Sequence, residues 1–257
     1  MLGGIGMKTS DFSYFSGAKP RVFAHRGLAQ HLGIAENTIE AFQEALKHGA
    51  THLESDTHAT KDGHAVLVHD PDLRRIAGED AMVNELTLEE VQRIELIGGG
   101  RIPTLEGALA QLPDVRFNLD IKAKTAIEPT IRAIEQRRAH HRVLVSSFSN
   151  PVRLSALRGT SAPIATSGSM QTVIAAWLSH RLAFGIGMNL VLKNVQALQI
   201  PTGAGRIRFA TESFIRRVQA SDTEVHFWTI NDPEEMQHLL ALGADGIVSD
   251  RVDLFAG

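Results

Sequence analysis

Residues 21–56, RVFAHRGLAQHLGIAENTIEAFQEALKHGATHLESD, contain the pattern that decides the fold. The short apolar run at 21–24 predicts a first strand, and the segment at 52–56 predicts a second. The segment between them, 37–48, predicts a helix that Gly49 ends. The apolar face of this helix is formed by Ile39, Phe42, Ala45 and Leu46. A strand, a helix and a further strand in this order predict one unit of a mostly parallel α/β sheet.

The same alternation continues to the end of the chain. Strands are predicted at 21–24, 52–56, 65–69, 115–121, 143–148, 164–166, 187–192, 225–230 and 246–249. Helices are predicted at 37–48, 87–94, 105–111, 127–139, 151–157, 172–182, 212–220 and 233–242. About eight such units favour an α/β fold of the TIM type, a (β/α)8 barrel in a single domain. An open, doubly wound sheet is the alternative, but the first strand ends in His25-Arg26-Gly27 and not in the glycine pattern of a dinucleotide site.

One unit of this pattern is irregular. The link from Asp56 to His69 is short and includes the turn sequence Lys61-Asp62-Gly63. A parallel crossover usually needs a helix and a longer connection. We therefore expect a slightly irregular barrel at this point.

The composition of the 257 residues excludes several classes of protein. The net charge is −3 and the sequence pI is near 6.5, so the chain has no general attraction for nucleic acid or for acidic membrane surfaces. The absence of cysteine excludes disulfides, thiolate zinc sites and cysteine nucleophiles. No stretch approaches the ~20 apolar residues that cross a bilayer, so stable membrane insertion is not expected.

The N-terminal segment, residues 1–20, lies outside the predicted barrel. It lacks the positive start and the long apolar run of a signal peptide. We therefore expect a disordered leader over 1–20, a barrel domain over 21–257, and a cytoplasmic location.

Charged side chains and histidines recur at the ends of otherwise apolar strands. They are His25 and Arg26 after the first strand, Glu54 and Asp56 on the second, His69 on the third, and Asp120 and Lys122 on the fourth. The C-terminal strand ends of a barrel meet at one mouth. A lone histidine is more often structural, and Asp120 with Lys122 could be an ordinary ion pair. One shared site explains the whole set better, because buried charges cost free energy unless they are paired or bound to metal.

The chemistry of this set indicates a phosphodiester substrate. Three carboxylates without thiolates suit one hard divalent cation such as Mg²⁺, Ca²⁺ or Mn²⁺. Two imidazoles suit general acid–base catalysis near neutral pH. Arg26 and Lys122 can bind phosphate oxygens. The sequence therefore predicts phosphodiester cleavage and does not resemble a redox or acyl-transfer site.

An ordered series of motifs resembles the glycerophosphodiester phosphodiesterase family. The motifs are His25-Arg26-Gly27, Glu36-Asn37-Thr38, Glu54-Ser55-Asp56, Lys61-Asp62-Gly63, Val68-His69-Asp70, Pro103-Thr104-Leu105-Glu106, Trp228-Thr229-Ile230-Asn231 and Gly243-Ala244-Asp245-Gly246-Ile247-Val248-Ser249-Asp250. The resemblance covers roughly 21–253, with a weaker middle over 163–208. Each motif alone is a modest signal, whereas the ordered series is a strong one.

The resemblance implies a barrel that hydrolyses a small glycerophosphodiester to glycerol 3-phosphate and an alcohol. By position it implies His25 and His69 as the acid–base pair, Arg26, Lys122 and Trp228 as substrate-binding residues, and Glu54, Asp56 and Asp120 as ligands of one divalent cation. Two positions depart from the family pattern. The third ligand is usually glutamate where this chain has Asp120, whose side chain is one methylene shorter. A proline usually stands where this chain has Ala35.

Two other functions stay open at this point. A lysophospholipase D or sphingomyelinase D-like enzyme would need an apolar surface for lipid, and 172–182 is the best candidate, although that stretch also fits a core-facing helix. A non-catalytic barrel that binds a phosphorylated ligand is disfavoured, because both histidine positions and all three carboxylate positions are filled. The sequence leaves the alcohol headgroup, the order of the two histidines and the oligomeric state undetermined.

Overall fold

A nearly closed barrel of eight parallel strands forms the centre of the computed structural model, which describes residues 7–255. The strands in chain order are β1 (Arg21–His25), β2 (His52–Ala59), β3 (Ala65–Leu67), β4 (Arg116–Ile121), β5 (Val143–Ser146), β6 (Ala165–Thr166), β7 (Ala197–Ile200), β8 (Gly203–Ala204), β9 (Ile207–Arg208), β10 (Glu224–Phe227) and β11 (Gly246–Ser249). The barrel order is β6-β5-β4-β2-β1-β11-β10-β7, and a bridge between Ser167 and Ala197 links its two ends. The predicted TIM-type barrel is confirmed.

Helices cover the outside of this barrel. They are α1 (Ile39–Lys47), α2 (Arg74–Ala77), α3 (Leu88–Arg93), α4 (Leu105–Gln111), α5 (Ile127–Gln136), α6 (Asn150–Gly159), α7 (Met170–Leu182), α8 (Met188–Val191), α9 (Glu212–Gln219) and α10 (Pro233–Ala241). Polar caps fix where several of them start: the Thr38 hydroxyl accepts from the N–H of Ala41 in α1, and Asp232 caps α10. The core lies between wall and helices, where the rings of Phe42 and Phe117 meet at 5.8 Å.

β3 is not a barrel strand, because it pairs antiparallel with the end of β2. The turn between them passes through Gly63, whose N–H bonds to the carbonyl oxygen of Thr60 at 3.0 Å. The irregular unit predicted after Asp56 is thus a β-hairpin. It returns the chain across the end of β2, where the N–H of Val68 bonds to the carbonyl oxygen of Asp56 (3.1 Å). His69 follows directly, so it lies beside the barrel mouth without ending a barrel strand.

The strand predicted at 187–192 is wrong, since α8 occupies that segment. Gly187 precedes the helix with φ +83°, a left-handed conformation that glycine adopts without strain. The seventh barrel strand is β7, which the sequence analysis did not predict. Its run Ala-Leu-Gln-Ile is short, and Gln199 interrupts the apolar pattern.

Residues 7–20 close the lower end of the barrel, where the strands begin. Two short 3-10 turns in this segment are Thr9–Asp11 and Ser13–Phe15. They carry Tyr14 into the interior, where its ring lies 5.0 Å from the ring of His52. The expected disorder is therefore not found over 7–20, because aromatic side chains of this segment pack inside the barrel. The rest of the predicted leader, 1–6, lies outside the described residues.

α7 contains the stretch considered above for a lipid surface. Its Val173 and Ala176 are buried, whereas Ile174 and Leu178 on another side are exposed. It is therefore a core-facing barrel helix with a second apolar face towards solvent. None of the helices described over 7–255 is long and apolar enough to cross a membrane.

Candidate active site

The carboxyl ends of β1, β2 and β4 lie side by side at the mouth. Parallel pairing sets His25 opposite Glu54, and Asp56 opposite Asp120. Glu54 and Asp56 are two apart on β2 and therefore face the same side. The register of three neighbouring strands thus gathers one histidine and three carboxylates.

His25 is held by a carboxylate that follows the last strand. Its Nδ1 lies 2.7 Å from Oδ1 of Asp250, and its Nε2 lies 3.9 Å from Oε2 of Glu54. Asn231 fixes Asp250 in turn: its side-chain nitrogen donates to Oδ2 at 2.8 Å, and its Oδ1 accepts from the Asp250 N–H at 2.9 Å. Burial alone would lower the pKa of His25, but the hydrogen bond with Asp250 raises it above its ordinary value. Asp250 therefore orients the ring and favours its protonated form.

His69 is held in the same manner by the residue that follows it. Its Nδ1 lies 2.8 Å from Oδ1 of Asp70. The other oxygen of Asp70 accepts from Nε of Arg75 (2.6 Å), and Arg75 also makes two hydrogen bonds of 2.7 and 2.9 Å to Glu36. Burial would raise the pKa of Asp70, but His69 and Arg75 hold it below its ordinary value. Both histidines thus have a carboxylate at Nδ1.

Arg26 occupies a tight turn after β1. Its φ is +58°, and the next residue, Gly27, has φ +84°. A Cβ on Gly27 would lie 2.7 Å from the backbone carbonyl carbon of Ala41, so only glycine fits. The guanidinium donates from Nη1 to Oε1 of Glu36 at 3.1 Å. Its buried Nε lies 3.3 Å from Oδ2 of Asp56 but makes no hydrogen bond within residues 7–255.

Lys122 bridges the carboxylates of β2 and β4. Its Nζ lies 2.7 Å from Oδ1 of Asp56 and 2.8 Å from Oδ2 of Asp120. Burial would raise the pKa of Asp56, but Lys122 and Arg26 hold it below its ordinary value, whereas burial raises the pKa of Asp120. Burial, and then the nearby charge of Asp56, raise the pKa of Glu54 well above its ordinary value.

The donor atoms suit a hard divalent cation in kind. Among residues 7–255, Oε2 of Glu54 is buried without a hydrogen-bond partner, and such an oxygen needs a donor or a cation. In the same part of the chain no three His, Asp or Glu side chains stand close enough to hold a metal ion. The ammonium of Lys122 lies between Asp56 and Asp120 and takes the place of a cation there. The oxygen-only set therefore fits the predicted cation chemically.

Two aromatic rings stand on the Lys122 side of the mouth. The ring centroid of the exposed Phe148 lies 5.9 Å from Nζ of Lys122. The ring of Trp228 meets Phe148 edge-on at 6.0 Å, and its other side packs on the apolar interior of the barrel. Trp228 therefore adjoins the site through Phe148, a residue that no motif in the sequence indicated.

The structure brings all of the predicted site residues to one end of the barrel. Four further residues that hold them were not selected from the sequence: Glu36, Asp70, Arg75 and Asp250. Glu36 and Asp250 also line a cavity beside His25 and Arg26. Three of the four stand inside the motifs quoted above, which was the available signal. Arg75 lies outside every motif, and no pattern in the sequence indicated it.

Comparison with known proteins is consistent with this geometry. The model of the glycerophosphoryl diester phosphodiesterase family matches residues 25–254. A Mycobacterium tuberculosis protein named probable glycerophosphodiester phosphodiesterase 2 is 39% identical over 232 residues, which cover 90% of this chain and 87% of that protein.

Two solved structures share the fold. The glycerophosphodiester phosphodiesterase of Thermotoga maritima is 24% identical, with a TM-score of 0.72 over 93% of this chain and 98% of its own. A phosphodiesterase of Oleispira antarctica, solved with its product sn-glycerol-3-phosphate, is 23% identical, with a TM-score of 0.68 over 91% and 94% of the two chains. At these identities the likeness concerns the barrel alone.

The barrel and the chemistry of its mouth define a phosphoric diester hydrolase. The match over nearly the whole length is more specific, and the chain belongs to the glycerophosphoryl diester phosphodiesterase family. Its reaction is the hydrolysis of a glycerophosphodiester to glycerol 3-phosphate and an alcohol. The family and the activity predicted from the motifs are confirmed.

Proposed function

We propose that the residues gathered at the mouth carry out this hydrolysis together with one divalent cation, which is Mg²⁺, Ca²⁺ or Mn²⁺. The proposed roles are proton transfer by His25 and His69, phosphate binding by Arg26 and Lys122, a pocket wall at Trp228, and cation binding by Glu54, Asp56 and Asp120. The substrate is a small glycerophosphodiester.

One observation supports these roles most directly: among the buried side-chain atoms without a hydrogen-bond partner within residues 7–255, two belong to an arginine and a glutamate at the mouth. Nε of Arg26 makes no hydrogen bond, although it lies 3.3 Å from Oδ2 of Asp56, and Oε2 of Glu54 is an acceptor without a donor. Each such group costs about 1–3 kcal/mol. The two residues are neighbours, because the N–H of Arg26 bonds to the carbonyl oxygen of Glu54 at 3.0 Å. A phosphate oxygen would satisfy Arg26 and a cation would satisfy Glu54, so substrate and cation together would remove both costs.

The two histidines supply the proton transfers. A carboxylate already meets Nδ1 of each ring, so Nε2 is the nitrogen that serves the substrate. One imidazole takes the proton of the attacking hydroxyl as its oxygen forms the new bond to phosphorus. The other gives a proton to the alcohol oxygen as its bond to phosphorus breaks.

The nucleophile determines the number of steps. Attack by the glycerol 2-hydroxyl forms a cyclic phosphate, which water then opens with the two histidine roles reversed. Direct attack by water uses the same two histidines once. In both cases Arg26 and Lys122 bind phosphate oxygens and offset the negative charge of the transition state. A divalent cation, when bound, polarises the phosphoryl group and neutralises part of its charge.

Release of glycerol 3-phosphate from glycerophosphocholine and glycerophosphoethanolamine tests the cation role. The reaction is run without detergent or vesicles, first with EDTA and then with added Mg²⁺, Ca²⁺ or Mn²⁺. We expect EDTA to stop release and at least one cation to restore it. Full release in EDTA would contradict the cation site, and a folded protein that releases product only from lysolipids would favour the lysophospholipase D alternative.

Two substitutions test the acid–base pair. His25→Ala and His69→Ala should each lower kcat by roughly 10²–10⁴-fold while thermal unfolding stays unchanged. His141→Ala serves as the matched control and should keep the wild-type rate. His141 is exposed and lies just before β5, at the end of the barrel opposite the mouth. Wild-type turnover in both site variants would show that the assignment is wrong.

A further inference from the structure

α7 carries an apolar stripe on its solvent side. Met170, Ile174, Leu178 and Leu182 follow each other at intervals of four residues, so they lie along one face of the helix. Each is at least 42% exposed. A helix that is apolar on all sides is normally buried. This helix buries one side only, so four large apolar side chains stay on its outer face, beside the exposed Gln171 and Arg181.

The loop and the short helix after α7 extend the stripe. Phe184, Ile186 and Leu190 are 77–81% exposed, more than any other large apolar side chain within residues 7–255. Soluble monomers rarely expose so much contiguous apolar surface unless it binds a partner or a membrane. The α7 patch is defined as Met170, Ile174, Leu178, Leu182, Phe184, Ile186 and Leu190.

The sequence that contains the α7 patch is cationic. Residues 136–211 include nine arginines and lysines, of which Arg142 and Arg153 are buried, whereas all 29 aspartates and glutamates of the chain lie elsewhere. Arg181 lies within the stripe and Lys193 follows its last member, and both are exposed. α9 packs against α7 and brings the acidic Glu212, but that carboxylate is paired with Arg216 at 2.5 Å. The patch is therefore apolar and has positive charge at its edge.

We propose that the α7 patch docks on the surface of an anionic lipid bilayer. Apolar side chains that enter the interface, with basic residues at their edge, are the features that bind such surfaces. A second copy of the chain fits less well, because a two-fold contact would set this cationic face against itself.

One end of the α7 patch lies near the mouth. α7 begins beside the active site, where the N–H of Met170 bonds to the carbonyl oxygen of Phe148 at 3.4 Å. The ring of Phe148 in turn lies beside Lys122. The first residue of the α7 patch therefore lies near the mouth, whereas Phe184, Ile186 and Leu190 follow the opposite end of α7.

Co-sedimentation of the full chain with vesicles tests the proposal. The vesicles contain phosphatidylglycerol and phosphatidylcholine in equal parts, or phosphatidylcholine alone. We expect binding to the anionic vesicles that weakens as salt is raised. The double substitution Phe184→Ser and Ile186→Ser should lower the partition coefficient by more than about 10-fold, because two large side chains no longer enter the interface. Ile97→Ser, at a side chain 66% exposed outside the patch, is the matched control and should bind as the wild type does.

The outcomes separate the proposal from its rivals. Thermal unfolding of the three proteins should agree, because the replaced side chains are largely exposed. A wild-type chain that stays in the supernatant with anionic vesicles overturns the proposal, and so does a double variant that binds as well as wild type. A wild-type dimer in sedimentation velocity that the double substitution converts to a monomer also overturns it, in favour of a contact between copies.

Discussion

Asp250→Asn is expected to disable His25 while it preserves the fold. The exchange keeps the size and shape of the side chain but removes the negative charge 2.7 Å from Nδ1 of His25. Asn231 donates to Oδ2 of Asp250, so the new amide should turn its oxygen to Asn231 and its NH₂ group to His25. An NH₂ group only donates, so Nδ1 must accept and the ring proton moves to Nε2. The nitrogen proposed to serve the substrate is then in the wrong tautomer for a base.

The magnitude follows from the lost interaction. A hydrogen bond to a charged group contributes about 1.5–3 kcal/mol, and 1.36 kcal/mol is tenfold in rate. The side chains of His25 and Asp250 are 21% and 26% exposed, so solvent screens part of their interaction. We therefore expect kcat/KM to fall roughly 10- to 30-fold. The bond to Asp250 raises the pKa of His25, so its loss lowers that pKa. The limb of the pH–rate profile that belongs to His25 should therefore move to lower pH.

Release of glycerol 3-phosphate across the pH range measures both quantities. Asp253→Asn is the matched control, because it makes the same exchange at a nearby aspartate that pairs with Arg251 at 2.8 Å. This control should keep the wild-type rate and profile. Unchanged kcat/KM in Asp250→Asn would refute the positioning role, and so would a slower enzyme whose pH profile has not moved.

Three further predictions concern the interior charges. Lys122→Met leaves Asp56 and Asp120 buried without the ammonium group that pairs with both. The free energy of unfolding, measured in urea at pH 7, should therefore fall by about 3 kcal/mol. The loss should be smaller in acid, where the carboxylates are neutral. Burial lowers the pKa of His52 from 6.5 to about 3 in the folded protein. As the pH decreases below 6.5, the unfolded chain binds this proton first, so the free energy of unfolding falls. Between pH 7 and pH 5, the free energy of unfolding of His52→Gln should therefore fall by about 2 kcal/mol less than that of the wild type. Urea unfolding of both proteins at both pH values measures this difference. Asp120→Glu restores the residue usual in the family at this position and should lower the cation concentration for half-maximal hydrolysis.

Most of the site residues could be predicted because they sit at the ends of parallel strands, whereas His69 follows the antiparallel hairpin strand β3. Glu54 and Asp56 lie two apart on β2 and face the same side, and pairing in register then places Asp120 beside Asp56. Their partners come from distant parts of the chain. Asp250 reaches His25 only because β11 pairs with β1 and closes the barrel. A contact between the two ends of the chain has no local signal.

The error at 187–192 has a similar cause. The run contains Leu and Val and fits a strand by composition, but Met188 and Leu192 are buried while Leu190 between them is exposed. That spacing of four is helical, and a run this short cannot be distinguished from a strand by its pattern alone. Packing against the rest of the barrel decides the conformation, as it also does for Tyr14 in the segment expected to be disordered.

The charges named for the mouth explain why the phosphate should not bind alone. The carboxylates are Glu36, Glu54, Asp56, Asp70, Asp120 and Asp250, and the permanent cations are Arg26, Arg75 and Lys122. Burial, and then the nearby charge of Asp56, raise the pKa of Glu54. The excess of carboxylates over permanent cations opposes a phosphodiester that arrives by itself. A divalent cation beside Glu54 would reverse the local balance and release Lys122 from Asp56 and Asp120 to meet the phosphate. The expected cation requirement therefore follows from the charges of this chain as well as from the chemistry of the reaction.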